Sequence, residues 1–211
     1  MAKLINGLLG GISGKVGPIV GATWKGVEYV RAAAAPSTKP RTEKQIAQQV
    51  KFKFLQNFLK PFQKFIVVGF RNDAIRRTEC NVAFSLNYKS AIIGSYPDFE
   101  IDYSKVIMSK GILPNLFEPK IKFLTAGTLE LSWSVFEECV GSFEDQVTLL
   151  LYNPRLEKID GFIGGVERAA GRCTFDINPR LIGESLEVYV SLTSNNRKLI
   201  SNSLYVGRLS R

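Results

Sequence analysis

The sequence predicts an α+β fold that is mainly β: an N-terminal arm and β-hairpin, an amphipathic helix, and a C-terminal two-sheet β-sandwich. Three observations predict it. Seven short strand-like runs separated by turn residues follow one another over roughly the last 95 residues, the spacing of a small sandwich. One long run near the front repeats its apolar residues every three or four positions, the period of a helix with a single buried face. The charge is divided along the chain: residues 1–80 hold 14 Lys and Arg against 4 Asp and Glu, and residues 81–211 hold 14 against 15, so the net charge of +9 belongs to the front.

Residues 1–17 carry too much glycine for a helix and no clean alternation, which predicts an adaptable arm. Ile19–Trp24 and Val27–Arg31 are β-rich, and Lys25-Gly26 between them suits a two-residue turn, so a hairpin is expected. Ala32–Arg41, with two prolines, reads as an extended connector. At Thr42 a helix starts: the hydroxyl at the N-cap and Gln45 three residues later form the capping-box spacing. Ile46, Val50, Phe54 and Phe58, with Ala47, Leu55, Leu59 and Phe62, make its apolar face; Pro61 lacks an N–H and ends or kinks it. Asn81–Ile93 is expected as a shorter helix and Phe99–Met108 as a strand, with a boundary at Gly111–Asn115. The sandwich strands are Lys120–Leu124, Thr128–Val135, Gln146–Tyr152, Gly161–Gly164, Arg172–Ile177, Ser185–Leu192 and Ser203–Arg208. The expected organisation is therefore 1–41 arm and hairpin, 42–112 mixed helical region, and 113–211 sandwich.

Composition excludes several classes. At 45% hydrophobic residues the chain is too apolar to remain unfolded. The apolar stretch Leu4–Ala22 is broken by six glycines, Pro18 and Lys15, so neither a membrane span nor a cleaved signal peptide is expected. Cys80, Cys139 and Cys173 are odd in number and widely spaced, which predicts buried reduced thiols instead of disulfides or a metal knuckle. The absence of histidine removes the commonest general base and metal ligand. Glu137-Glu138 and Glu144-Asp145 read as solvated loop charges. Gly10–Lys15 has three residues between its glycines and Val16 after the lysine, which fails the phosphate-loop pattern. No enzyme activity, no cofactor and no small-molecule substrate are expected.

Within the back half, Leu129, Leu131 and Trp133 alternate onto one face, and the Leu186–Leu192 run is followed by a polar turn and a last strand. This part, about residues 115–211, resembles a fibronectin type III or immunoglobulin-like domain, which implies that Trp133 packs in the sandwich core. In the front half, Gly14–Arg31 (GKVGPIVGATWKGVEYVR), Lys39–Gln45 (KPRTEKQ) and Val50–Phe52 are similar to the opening of an uncharacterised family of Bacteroidota proteins. A looser version of that layout resembles phage structural proteins. These resemblances imply an assembly role and supply no catalytic residue.

The expected function is a non-catalytic structural subunit of a virion, filament or other particle assembled in the cytoplasm. Ile19, Val20, Trp24, Val27, Tyr29 and Arg31 are the expected subunit interface, a strand exchanged onto the sheet edge of a neighbouring copy or other particle subunit. Lys39, Arg41, Lys44, Lys51, Lys53, Lys60 and Lys64 form an alternative site for a polyanion, either nucleic acid or an acidic protein surface. A further alternative is a secreted fibre or adhesin at the cell surface.

Overall fold

A computed structural model describes residues 3–4, 10–35, 40–135 and 143–210. The chain divides into two compact units, Met1–Glu43 and Lys44–Arg211.

In the first unit, β1 (Lys3–Leu4), β2 (Ile12–Val16), β3 (Ile19–Trp24) and β4 (Val27–Ala32) form one antiparallel sheet in that order. The expected hairpin is present, and its turn residues Lys25 (φ 45°) and Gly26 (φ 79°) both take the positive φ of a type I′ turn. The arm differs from expectation, because part of it is a strand. Gly17 (φ 53°) and Pro18 reverse the chain between β2 and β3, and Pro18 fixes its own φ while donating no ladder hydrogen bond. The Ala33 N–H donates to the Pro18 carbonyl at 2.7 Å and fastens the far end of β4 to this turn.

The second unit begins with α1 (Glu43–Leu59), α2 (Gln63–Gly69) and α3 (Glu79–Ser90). Helix α1 starts and stops where Thr42 and Pro61 predict. Thr78 caps α3, its Oγ1 accepting from the Asn81 N–H at 3.2 Å. Residues expected as one strand, Phe99–Met108, are divided. The hairpin β5 (Ile92–Ser95) and β6 (Asp98–Ile101) is followed by a 3₁₀ turn at Tyr103–Lys105, because the Asp102 carboxylate accepts from the Ser104 N–H and pairs with Lys105 Nζ at 2.9 Å. The buried Asn87 side chain then holds the next segment, exchanging hydrogen bonds of 2.8 Å with both the N–H and the carbonyl of Ile107.

All seven sandwich strands form: β7 (Phe117–Phe123), β8 (Thr128–Ser134), β9 (Gln146–Asn153), β10 (Lys158–Glu167), β11 (Arg172–Asp176), β12 (Leu186–Thr193) and β13 (Leu204–Leu209). They make a three-stranded sheet, β11-β8-β7, and a four-stranded sheet, β10-β9-β12-β13, every pairing antiparallel. This is the immunoglobulin-like arrangement of two sheets over one core. Leu129, Leu131 and Trp133 of β8 face Leu149, Leu151, Val188 and Val190 across it. The Trp133 Nε1–H donates to the Arg168 carbonyl at 2.7 Å, so the indole is packed without an unsatisfied donor.

The central strands of the four-stranded sheet, β9 and β12, are buried on both faces. The second face of the sheet, with Leu150, Tyr152 and Tyr189, packs on Leu55, Phe58, Phe62, Phe65 and Ile66 of α1, the bend after it, and α2. Residues 42–112 therefore share a core with the strands and cover one side of the sandwich. The boundary expected at Gly111–Asn115 is also fastened: the Leu113 N–H donates to the Ile200 carbonyl at 2.9 Å, and a Cβ on Gly111 would lie 2.0 Å from that same oxygen.

Two polar expectations are corrected. Asp145 is buried and not solvated. Its Oδ2 lies 3.1 Å from Arg168 Nη2, its carbonyl accepts from the Arg168 N–H, and the same guanidinium nitrogen donates to the Pro114 carbonyl. Cys80 is exposed in the first turn of α3 and Cys173 is half-buried on β11; Cys139 and Glu137-Glu138 lie outside the described residues.

Candidate functional site

The ladder of the first unit sorts its side chains onto two faces. Val20 stands opposite both Lys15 and Arg31, Ala22 opposite Tyr29, and Trp24 opposite Val27. Residues directly opposite in an antiparallel ladder share a face. One face of the sheet thus carries Lys15, Val20, Trp24, Val27, Tyr29 and Arg31. The opposite face carries Val16, Ile19, Val30 and the Glu28 carboxylate, which lies against Gly11. Of the six expected interface residues, the register brings five onto one face and leaves Ile19 on the other.

These side chains are open to solvent. Trp24 and Val27 are each 49% exposed and Tyr29 43%, and all six residues of β4 are exposed. Gly21 alone is buried among the described residues 10–35, and it is buried by backbone: a Cβ there would lie 1.9 Å from the Ile12 carbonyl oxygen. Among the described residues β4 is the last strand of its sheet, so every second backbone N–H and carbonyl along it points away from β3. Neither Lys15 nor Arg31 has a carboxylate within ion-pair distance among the described residues. The face is therefore cationic and aromatic.

Lys15 was not among the expected site residues. The signal for it is the Gly17-Pro18 turn, which makes Ile12–Val16 a third strand and places Lys15 beside Arg31 across β3.

The lysines of the other basic set that lie on α1 point to more than one side of it. Lys39 lies outside the described residues, and Arg41 precedes α1. Along α1, with about 100° between successive residues, Lys44 and Lys51 fall on one side and Lys53 on the opposite one. The Lys51 Nζ sits 4.7 Å from the centre of the Tyr88 ring of α3. Lys60 lies in the bend after α1 and Lys64 opens α2, both exposed. Missed by the sequence reading is a separate cluster: the Asn72 amide donates to the Lys198 carbonyl at 2.8 Å and brings Arg71 to the loop of Arg197 and Lys198.

Among the described residues there is no group of three or more Cys, Asp or Glu side chains arranged to hold a metal ion, and no helix is long and apolar enough to cross a membrane.

Residues 11–207 match a family described as a family of unknown function, DUF6266. No curated protein sequence matches. Among solved structures, the fn3 domain of human collagen alpha-1(XX) chain is similar at 15% identity and a TM-score of 0.35, covering 46% of this chain and 84% of that one.

Proposed function

The chain belongs to the DUF6266 family of unknown function, and from its geometry we propose that it is a non-catalytic structural subunit of a larger assembly, joined through its N-terminal sheet. The observation that carries the reading is the sheet itself: four strands that bury one glycine among the described residues 10–35 and expose Trp24, Val27, Tyr29 and Val30. Such a small sheet is marginal in water unless its apolar side chains are covered. A partner surface supplies that cover, and the free edge of β4 supplies main-chain hydrogen bonds for it. The assembly proposed is a virion or other filamentous or shell-like particle of a Bacteroidota bacterium or its phage; a fibre at the cell surface would differ from it chiefly in export.

Removal of residues 1–31 tests this. The unit Lys44–Arg211 has its own two cores, so the truncated protein is expected to stay folded and soluble while losing self-association. Unchanged assembly by the truncated protein would overturn the proposal. A second reading is favoured by the pairing of Trp24 and Tyr29 with Lys15 and Arg31 on one face, a layout on which bases stack and phosphates are neutralised. Salt-sensitive retention of single-stranded DNA or RNA by the intact chain, lost on truncation while the assembly state stays the same, would select it.

A further inference from the structure

The geometry points to the acceptor for the N-terminal sheet: a groove between α1, β6 and the β9–β10 turn, which receives the cationic aromatic face of a second copy and joins subunits head to tail. This rests on the assembly reading and adds to it the surface that is joined.

The groove has a volume of about 440 Å³. Its walls are aromatic: the Phe54 and Phe99 rings lie 6.2 Å apart and the Tyr103 and Tyr152 rings 6.0 Å apart. Glu100 and Glu157 also line it, and no lysine or arginine does. Glu157 occupies the β9–β10 turn at φ 51°, a left-handed conformation uncommon for a residue with a side chain. Burial, then the charge of Glu187 and more weakly that of Glu157, raises the Tyr103 phenol against Arg208, and burial, with smaller contributions from Tyr103 and Glu157, raises that of Tyr152. Neither Glu100 nor Glu157 is in an ion pair among the described residues, although Glu130, Glu184 and Glu187 of the same unit are.

The two surfaces are complementary in kind. The N-terminal face offers two cations, Lys15 and Arg31, without carboxylate partners among the described residues and flanked by Trp24 and Tyr29. The groove offers two carboxylates without ion-pair partners among the described residues and flanked by aromatic rings. A guanidinium or ammonium entering it meets a carboxylate and the faces of the rings together, and both interactions strengthen as water leaves. A polyanion is excluded by the same carboxylates. Because the donor and acceptor are different patches, the contact is heterologous and repeats from copy to copy, closing into a ring or continuing as a filament.

Two full-length variants test the inference, K15E/R31E on the sheet and E100K/E157K on the groove. All four side chains are exposed, so both variants are expected to keep the wild-type thermal unfolding; E100Q/E157Q serves as a milder groove variant. Each charge-reversed variant alone is expected to associate at least about tenfold more weakly than wild type. Mixed together, they restore opposite charges at the contact, wild-type sheet on wild-type groove and reversed sheet on reversed groove, so the association lost by each variant alone is expected to return by sedimentation velocity. Undiminished association of both groove variants, or a mixture that stays monomeric, would overturn the groove assignment while leaving assembly through the sheet in place. A wild-type protein that is monomeric at all concentrations would overturn both.

Discussion

At Gly21 the N-terminal sheet depends on the absence of a side chain. The Ile12 backbone passes so close that a Cβ would meet its carbonyl oxygen at 1.9 Å. Substitution Gly21→Val is therefore expected to unpair β2 from β3. Hydrogen-exchange protection should fall over residues 12–24, while the melting of the second unit stays unchanged. Arg168 is a different kind of residue, a buried cation bound to Asp145 and Pro114 whose carbonyl also holds the Trp133 indole. Arg168→Ala leaves the Asp145 carboxylate buried without its guanidinium and is expected to cost about 3–5 kcal/mol in chemical denaturation. The phenols give a pH dependence. Burial, followed by the hydrogen bond to Glu187 and its charge, pushes Tyr205 up to about 12 from an ordinary 10.0. Tyr103, Tyr152 and Tyr189 are raised as well, chiefly by burial. The folded state thus holds these protons more tightly than the unfolded chain. The Tyr205 contribution is complete below pH 10 and is lost as pH rises through about 12, so phenolate absorbance and unfolding should begin to rise together there. None of this was legible residue by residue. Glu144-Asp145 looks like any acidic turn until Arg168 is brought to it, and Cys80 looks like a core thiol until α3 turns it outward.

At the scale of elements, legibility follows the strength of the local signal. The hairpin β3–β4, the start and stop of α1, and the seven sandwich strands stand close to where turn residues, the Thr42 cap, Pro61 and alternation place them. Strand β2 differs from the expected arm over residues 1–17 because its glycines hide the alternation. The three-layer packing was missed although a signal existed: Val147–Tyr152 is a nearly continuous apolar run, which marks a strand buried on both faces. Helix α1 carries the converse lesson. Its apolar stripe is regular from Ile46 onward, yet Ile46 and Val50 are exposed, and burial begins at Leu55. Periodicity reports that one face is apolar and not what covers it. For β3 and β4 the expected interface residues fall on one face except Ile19, as strict alternation in a ladder requires. Trp24→Ala with Tyr29→Ala removes the two exposed aromatics of that face, side chains of the kind that dominate interface energetics. The pair is expected to weaken self-association by about tenfold or more, read by light scattering, with no change in the unfolding of the second unit.

For the whole molecule, the uneven charge along the sequence takes on a spatial meaning. The basic front divides between an exposed sheet face, which has lysine and arginine beside tryptophan and tyrosine, and a helix whose lysines point in opposite directions. The nearly balanced back half places Glu100 and Glu157, neither in an ion pair among the described residues, in an aromatic groove. In the proposed assembly, a sheet that buries one glycine among the described residues 10–35 is the donor and the groove on the same chain is the acceptor, the minimum that a repeating assembly of identical subunits needs. The most direct measurement is sedimentation velocity of the full chain across a range of protein concentrations, beside the same chain lacking residues 1–31. The expected result is concentration-dependent oligomers for the full chain and a folded monomer for the truncated one. Oligomers that persist unchanged without residues 1–31, or a full chain that remains monomeric at every concentration, would contradict it.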